Sequence, residues 1–295
     1  MVAHSKTSIL FNKIDVALGR KIYGNTTGLL NNIRNRSKYL TNIDESTKKT
    51  NPGLYSLVKY GFTKYPISYD DSLIKIIQKK IQSLIEDDKY SVPTSGYKGK
   101  IYGRAIVEPY KHIPELSKLI TDDILTLLRK YYTSPYTIVH ILIRRNYFVP
   151  LEIRTKHEMF SNFWHNDRDA PGQIKYFVYM TDVTEKDGPF HIQTKERTRE
   201  LIKMGFGSRF DYKLSQDVLE DPKHVTKILG PAGTSFFGDA NSCLHRAGDP
   251  EEGHIRDMIT FVIEPSKEPI KEDWIEKIKF QREQVYTQYD PSQEK

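Results

Sequence analysis

The chain has 295 residues, 38% of them hydrophobic and 12% aromatic, with a formal net charge of +7. That length and apolar content suit one substantial core with or without helical additions, and exclude disorder over most of the chain. No apolar run reaches the ~18 residues of a membrane-spanning helix, the N-terminus lacks the apolar stretch of a signal peptide, and Cys243 is the only cysteine; an internal disulfide is excluded and a cytoplasmic protein is expected.

Residues 1–50 carry nine Lys or Arg against three acids, nearly the whole positive excess. They read as a solvated, basic, partly helical extension, without a nucleic-acid-binding signature. Within it, Leu29, Leu30, Ile33 and Leu40 fall near helical spacing, which predicts a docking helix over 26–40. Asn51-Pro52-Gly53 reads as a turn and a boundary. Asp70 and Asp71 read as the cap of a helix through Leu84, with Leu73, Ile77, Ile81 and Leu84 on its apolar face. A second helix is expected from Pro114, with Leu116, Leu119, Ile120, Ile124, Leu127 and Leu128 forming a wide stripe.

After Ser134-Pro135 the composition turns β-rich. Strands are predicted at 136–143, 174–180, 225–229, 234–237 and 258–263. Residues 272–289 read as a helix with Trp274, Ile278 and Val285 available for docking. Helices first and strands later predict a mainly β protein, a sandwich with helical additions at both ends. Its domain is expected over 51–267, with 268–295 as a C-terminal helix and tail.

One constellation carries chemistry. In Trp164-His165-Asn166-Asp167, strand alternation would point His165 and Asp167 to one face. His245 follows 78 residues after Asp167, and Arg256 another 11 residues on. Two imidazoles and one carboxylate form the facial triad of non-haem Fe(II) oxygenases, which leaves three coordination positions open. A His-x-Asp pair is weak by itself; the flanking turn at 230–233, the strand after it, and the strand 258–263 beyond Arg256 add the weight. Arg256 is expected on the strand neighbouring His245, where its planar fork can hold a carboxylate in bidentate fashion.

Over roughly residues 54–265 the chain resembles the phytanoyl-CoA dioxygenase family. The resemblance rests on Leu57-Val-Lys-Tyr-Gly-Phe-Thr63, on Trp164-His-Asn-Asp167, on Thr181-Asp-Val-Thr-Glu-Lys-Asp-Gly-Pro189, and on Gly233 through Leu244-His-Arg-Ala-Gly248 to Arg256. It implies a double-stranded β-helix, a jelly-roll or cupin-like core. It implies Fe(II) on His165, Asp167 and His245, with 2-oxoglutarate and O2 as cosubstrates and Arg256 on the far carboxylate. The implied reaction oxidises a C–H bond and releases succinate and CO2. Halogenating relatives lose the carboxylate that Asp167 retains. The stretch Phe190-His-Ile-Gln-Thr-Lys-Glu-Arg-Thr198 departs from the family, so the resemblance names no substrate.

Asn166 and Tyr179 are further candidates for cosubstrate binding, although alternation turns Asn166 from the metal face. Cys243, two residues before His245, is expected small and buried beside the metal. His140 reads as a core histidine, and His191, His224 and His254 as surface or hydrogen-bonded ones. Arg144, Arg145, Arg154, Lys156, Arg168, Lys175 and Arg246 form a basic set that could receive an anionic small-molecule substrate. A non-catalytic cupin-like binding protein and a metal-dependent isomerase or hydrolase are the alternatives. Oligomeric state is not legible.

Overall fold

The computed structural model describes residues 38–278 apart from Arg168 and Lys213. The expected helix over 26–40 therefore lies mostly outside the described residues, as do Val285 and Arg168.

Asn51-Pro52-Gly53 opens a helix instead of making a turn. The Asn51 side chain accepts from the Leu54 amide at 3.1 Å, and Pro52 fills the first turn of α1 (Pro52–Tyr60), where its missing N–H costs nothing. Asp70 caps α2 (Asp71–Ile85) by accepting from the Ser72 amide, as its sequence predicts. The buried face of α2 is Ile74, Ile77, Ile81 and Ile85; Leu73 and Leu84 lie at its half-buried margin. The stripe is thus rotated slightly from the expected one.

The helix expected from Pro114 is broken. A 3-10 segment covers Pro114–Leu119, Ile120 leaves helical geometry, and α3 (Asp122–Tyr131) starts afresh after an extended Thr121. Both pieces bury the predicted leucines and isoleucines, so the apolar stripe is satisfied by two short elements. The described part of the tail, to residue 278, holds a 3-10 turn, Trp274–Lys277, where the start of a long helix is expected, and the rest of that expected helix lies outside the described residues; Trp274 packs edge-on to Phe261.

The strands are β1 (Phe62–Lys64), β2 (Ser91–Tyr97), β3 (Lys100–Ile106), β4 (Tyr136–Tyr147), β5 (Ile174–Tyr179), β6 (Phe190–Ile192), β7 (Phe206–Ser208), β8 (Asp211–Tyr212), β9 (Thr226–Ile228), β10 (Ser235–Gly238), β11 (His245–Ala247) and β12 (Ile255–Pro265). Besides single-turn helices, a ten-residue helix, α4 (Lys195–Met204), follows β6. The large sheet runs β1-β10-β5-β12-β4-β3-β2, and a small sheet runs β11-β6-β9; their ladders are antiparallel. This is a mainly antiparallel β protein with helices. The β2–β3 hairpin was not foreseen.

Strand alternation gives the large sheet two different faces. Ile141 and Ile143 of β4, Tyr176 and Val178 of β5, and Ile259 and Phe261 of β12 pack in one core with α1, α2 and α3. Phe177, Tyr179 and Phe236 turn the other way, toward Phe190, Ile192 and Ile228 of the small sheet. The core under the helices is the larger, and it fixes the floor on which the second face is displayed. Among the described residues no helix is long and apolar enough to cross a membrane.

Ile81 is fully buried on α2, whereas Ile76 on the same helix is 45% exposed. Ile81→Ala should lower the unfolding free energy by about 2–5 kcal/mol, the range for a buried isoleucine truncated to alanine. Ile76→Ala should stay within about 0.5 kcal/mol. Urea unfolding of both variants measures the difference.

Candidate metal centre

His165 and His245 face each other across an antiparallel bridge. His165 N–H donates to the His245 carbonyl at 3.0 Å, and His245 N–H returns the bond at 2.8 Å. The Asp167 amide donates to the Ala240 carbonyl at 2.9 Å, which ties the segment to the turn before β11 as well. His165 thus obeys strand alternation without belonging to a longer strand. The turn before β11 is tied down as well: Asp239 N–H donates to Gly61 O at 2.7 Å, and its carboxylate pairs with Lys195 at 2.9 Å.

Each imidazole is oriented by its own backbone. His165 Nδ1 lies 2.8 Å from Phe163 O and His245 Nδ1 lies 3.0 Å from Cys243 O. A carbonyl can only accept, so both Nδ1 atoms carry the proton and both Nε2 lone pairs are left for a ligand. These point at one carboxylate: His165 Nε2 is 3.6 Å from Asp167 Oδ1, and His245 Nε2 is 3.7 Å from Asp167 Oδ2. Two donors each ~2.1 Å from one ion are at most about 4.2 Å apart, so both edges fit a single ion. Among the described residues this is the His/Cys/Asp/Glu cluster of metal-site dimensions.

The protonation states suit a cation. Burial holds both histidines below their ordinary value, with His245 and Arg209 adding to the effect at His165. Both are therefore neutral at physiological pH, as ligands must be. At Asp167 burial pushes the carboxyl up, but the Lys175 ammonium and the two neighbouring imidazoles together outweigh it and hold the group below the usual carboxylate range.

The three side chains open on a cavity of about 410 Å³ between the two sheets. Its floor is the second face of the large sheet: Asn146, Arg144 and Leu142 from β4, Arg256, Met258, Thr260 and Val262 from β12, and Lys175 and Phe177 from β5. Arg256 thus lies on the opposing sheet, not on the strand neighbouring His245 as its spacing suggested. It is 1% exposed, donates through Nη1 to Gly188 O, and has no partner for Nε. Among the described residues no carboxylate lies in ion-pair range of it. A guanidinium stays charged even when burial lowers its pKa. Asn146, its register partner on β4, is 5% exposed, and its Oδ1 has no partner.

Asn166 and Tyr179 are not brought to the cavity. The Asn166 amide donates to the carbonyls of Asp167 and Asn241, away from the imidazoles. The Tyr179 hydroxyl donates to Ile228 O and accepts from Phe190 N–H, both at 3.0 Å, which ties the two sheets together. Cys243 is buried, but its Sγ points at the end of α1, 3.5 Å from Tyr60 O, and not at the ligands. Of the basic set, only Arg144 and Lys175 reach the cavity among the described residues. Arg145 is on the helix-covered face, in ion pairs with Asp257 at 2.6 Å and Glu86 at 3.0 Å, because it is one residue out of phase with Arg144. Arg246 pairs with Glu220 and stacks over Trp164. Arg209, which has no sequence signal, lines the cavity from the β7–β8 turn, paired with Glu158 at 2.5 Å. His254 pairs with Asp187 at 2.8 Å, and His224 is exposed.

No protein-family model matches the chain, and no curated protein matches it in sequence. Solved structures do match in fold. HygX from Streptomyces hygroscopicus, with nickel and 2-oxoglutarate bound, superposes with a TM-score of 0.54 at 14% identity, over 74% of this chain and 88% of that one. EctD from S. alaskensis, with 2-oxoglutarate and 5-hydroxyectoine, gives 0.53 at 16% identity, over 86% and 89%. The carbocyclase SnoK from nogalamycin biosynthesis, described as non-heme and alpha ketoglutarate dependent, gives 0.51 at 12% identity, over 79% and 89%. The likeness shows the fold, the double-stranded β-helix expected from the sequence.

Two expectations follow. Gly188 has φ +66°, and a Cβ there would lie 2.6 Å from both Gly248 O and Pro250 N. Gly188→Ala should therefore cost more than the roughly 1–2 kcal/mol of left-handed backbone alone, as thermal melting will report. His140, buried on β4 with neither ring nitrogen partnered, is held down to about 4 by burial, with Arg144 and Lys175 adding to it. A depressed histidine stabilises the fold fully above its unfolded value near 6.5, and that contribution is lost as pH falls toward 4. His140→Leu should reduce the slope of unfolding free energy against pH by close to one proton in that window.

Proposed function

We propose that this chain is an Fe(II)- and 2-oxoglutarate-dependent oxygenase of the phytanoyl-CoA dioxygenase-like group, acting on a C–H bond of a small molecule. The observation that carries the reading is the pairing of two features in one cavity. A neutral, pre-oriented two-histidine, one-carboxylate set faces a buried guanidinium that, among the described residues, has no carboxylate in ion-pair range. The first is the donor set of non-haem Fe(II) sites. The second is costly unless an anion neutralises it. A cosubstrate with a chelating keto acid at one end and a carboxylate at the other answers both. Nickel and 2-oxoglutarate in HygX, and 2-oxoglutarate in EctD, are consistent with this choice.

In this reading His165, Asp167 and His245 hold the iron, and their remaining role is to keep three positions open. When bound, the metal supplies the oxidative decarboxylation of 2-oxoglutarate to succinate and CO2 with coupled oxidation of the substrate. Arg256 takes the far carboxylate in bidentate fashion, which fixes the chelating end over the triad; Gly188 O and the β4–β12 register hold the guanidinium in place. Asn146 offers its amide beside the same carboxylate. Phe177, Phe190, Leu142 and Met258 keep water from the cavity walls. Lys175, Arg144 and Arg209 make the remaining lining basic, which favours an anionic substrate. A non-catalytic binding protein would not need a pre-oriented ligand set, and an isomerase or hydrolase would not need Arg256.

Protein reconstituted with Fe(II) and 2-oxoglutarate should form succinate slowly without added substrate, and His165→Ala should abolish this. Arg256→Lys keeps the charge but not the fork. It should raise KM for 2-oxoglutarate by about tenfold to a hundredfold, the equivalent of the ~1.5–3 kcal/mol of a charged hydrogen bond. Succinate formation that is indifferent to both substitutions would refute the assignment.

A further inference from the structure

Lys175 is a cavity cation that pairs directly with Asp167, one of the three candidate ligands. It is carried by β5 on the cavity face, opposite Val262 in the register. Its side chain is 20% exposed. Its ammonium lies 2.5 Å from Asp167 Oδ2 and 3.2 Å from Asp169 Oδ2, so two acids hold it in place. Asp167 Oδ1, 3.6 Å from His165 Nε2, is the oxygen that the ammonium does not take, whereas Oδ2 is shared between Lys175 and the His245 side, 3.7 Å from His245 Nε2.

That asymmetry has a consequence for coordination. A carboxylate binds a cation through one oxygen or through both. With two imidazoles and a single oxygen, an octahedral ion keeps three positions open; with both oxygens it keeps two. The reaction proposed above, on which this inference rests, needs two positions for the keto acid and one for dioxygen.

We propose that Lys175 is a positioning residue that reserves Asp167 Oδ2, so that Asp167 ligates through Oδ1 alone and the third open position survives. Lysine suits the task. Its three donors serve Oδ2 and Asp169 together, while its charge offsets that of the one anionic ligand. A neutral side chain at 175 leaves Oδ2 to swing onto the metal. Asp169 keeps the ammonium from following the carboxylate into the cavity, and the β5–β12 ladder fixes the lysine's origin.

The test compares the full-length wild type with Lys175→Met, Lys175→Gln and Lys175→Arg, each freed of metal. Fe(II) is titrated under anaerobic conditions, and 2-oxoglutarate is then added and followed by the visible charge-transfer absorption of its chelate. Lys175→Met should still bind one Fe(II) and chelate 2-oxoglutarate, but nitric oxide, a stand-in for dioxygen titrated anaerobically and read by the electron paramagnetic resonance of its iron adduct, should bind that complex about 10- to 100-fold more weakly, the range for losing a group that orients a metal ligand. Lys175→Arg should restore the affinity. Unchanged nitric oxide affinity of the Lys175→Met complex overturns the proposal. So does loss of iron binding by that variant, which marks a structural role, or failure of Lys175→Arg to restore affinity. If Lys175→Met does not fold, Lys175→Gln is judged by the same criteria. A wild type that binds no iron sinks the metal-centre reading itself, and is thereby distinguished from failure of this inference.

Discussion

Two backbone hydrogen bonds, between His165 and His245, hold the rest of the site in register. They join segments 80 residues apart in the chain, and they do so at the residues whose side chains converge. Once the bridge is made, alternation puts Asp167 on the same side as His165, and the Ala240 carbonyl locks it there. The imidazoles need no partner side chain for orientation, because each is held by the carbonyl two residues before it. The ligand geometry is therefore written almost wholly in backbone, which is stiffer than a chain of side-chain contacts.

The large sheet does two unrelated jobs with one set of strands. On its helix side, isoleucines and aromatics bury against α1, α2 and α3 and supply the bulk of the core. On its other side the same strands carry Arg144, Asn146, Lys175 and Arg256. Neighbours in sequence are thereby divided between stability and chemistry. Arg145 and Asp257 form a buried ion pair under the helices, while Arg144 and Arg256, one position away on each strand, face the cavity. A one-residue slip of β4 against β12 would exchange the two sets, so the hydrophobic core is also what specifies the site.

Charge separates the two walls of the cavity. The small-sheet wall carries neutral, buried histidines; the floor carries guanidinium and ammonium groups. Burial produces the first condition by disfavouring protonated imidazole. The second is costly without counter-ions, and Asp167, Asp169 and Glu158 offset only part of it. Arg256 has no carboxylate in ion-pair range within the described residues, and only the more distant Asp249 favours its charge. The fold stores that unfavourable arrangement where a dianionic cosubstrate would relieve it.

Much of this was legible in the chain itself. His165, Asp167, His245 and Arg256 could be named because ligand chemistry demands particular residue types, and the β-rich text after Ser134 announced the sandwich. Asn166, a candidate for cosubstrate binding, has its amide bonded to the carbonyls of Asp167 and Asn241. The failures have physical causes. The cap at Asn51 was read as a turn, because Asn and Pro serve helix starts and turns equally well. The helix from Pro114 was drawn through Thr121, because an apolar stripe does not record a break between two short elements that bury the same face. Tyr179 was assigned to the cavity, but its hydroxyl is consumed by two backbone groups that only the packed sheets bring to it.

By itself the sequence determined the candidate donor residues, the β-rich second half and the helix cap at Asp70, since these depend on residue chemistry and local spacing. The tertiary structure decided which cations face the metal set. Whether Arg144 or Arg145 enters the cavity depends on the pairing register, Arg209 arrives from a hairpin with no motif, and Lys175 meets Asp167 only because β5 runs beside β12. Those choices rest on contacts between residues distant along the chain, which no local pattern records.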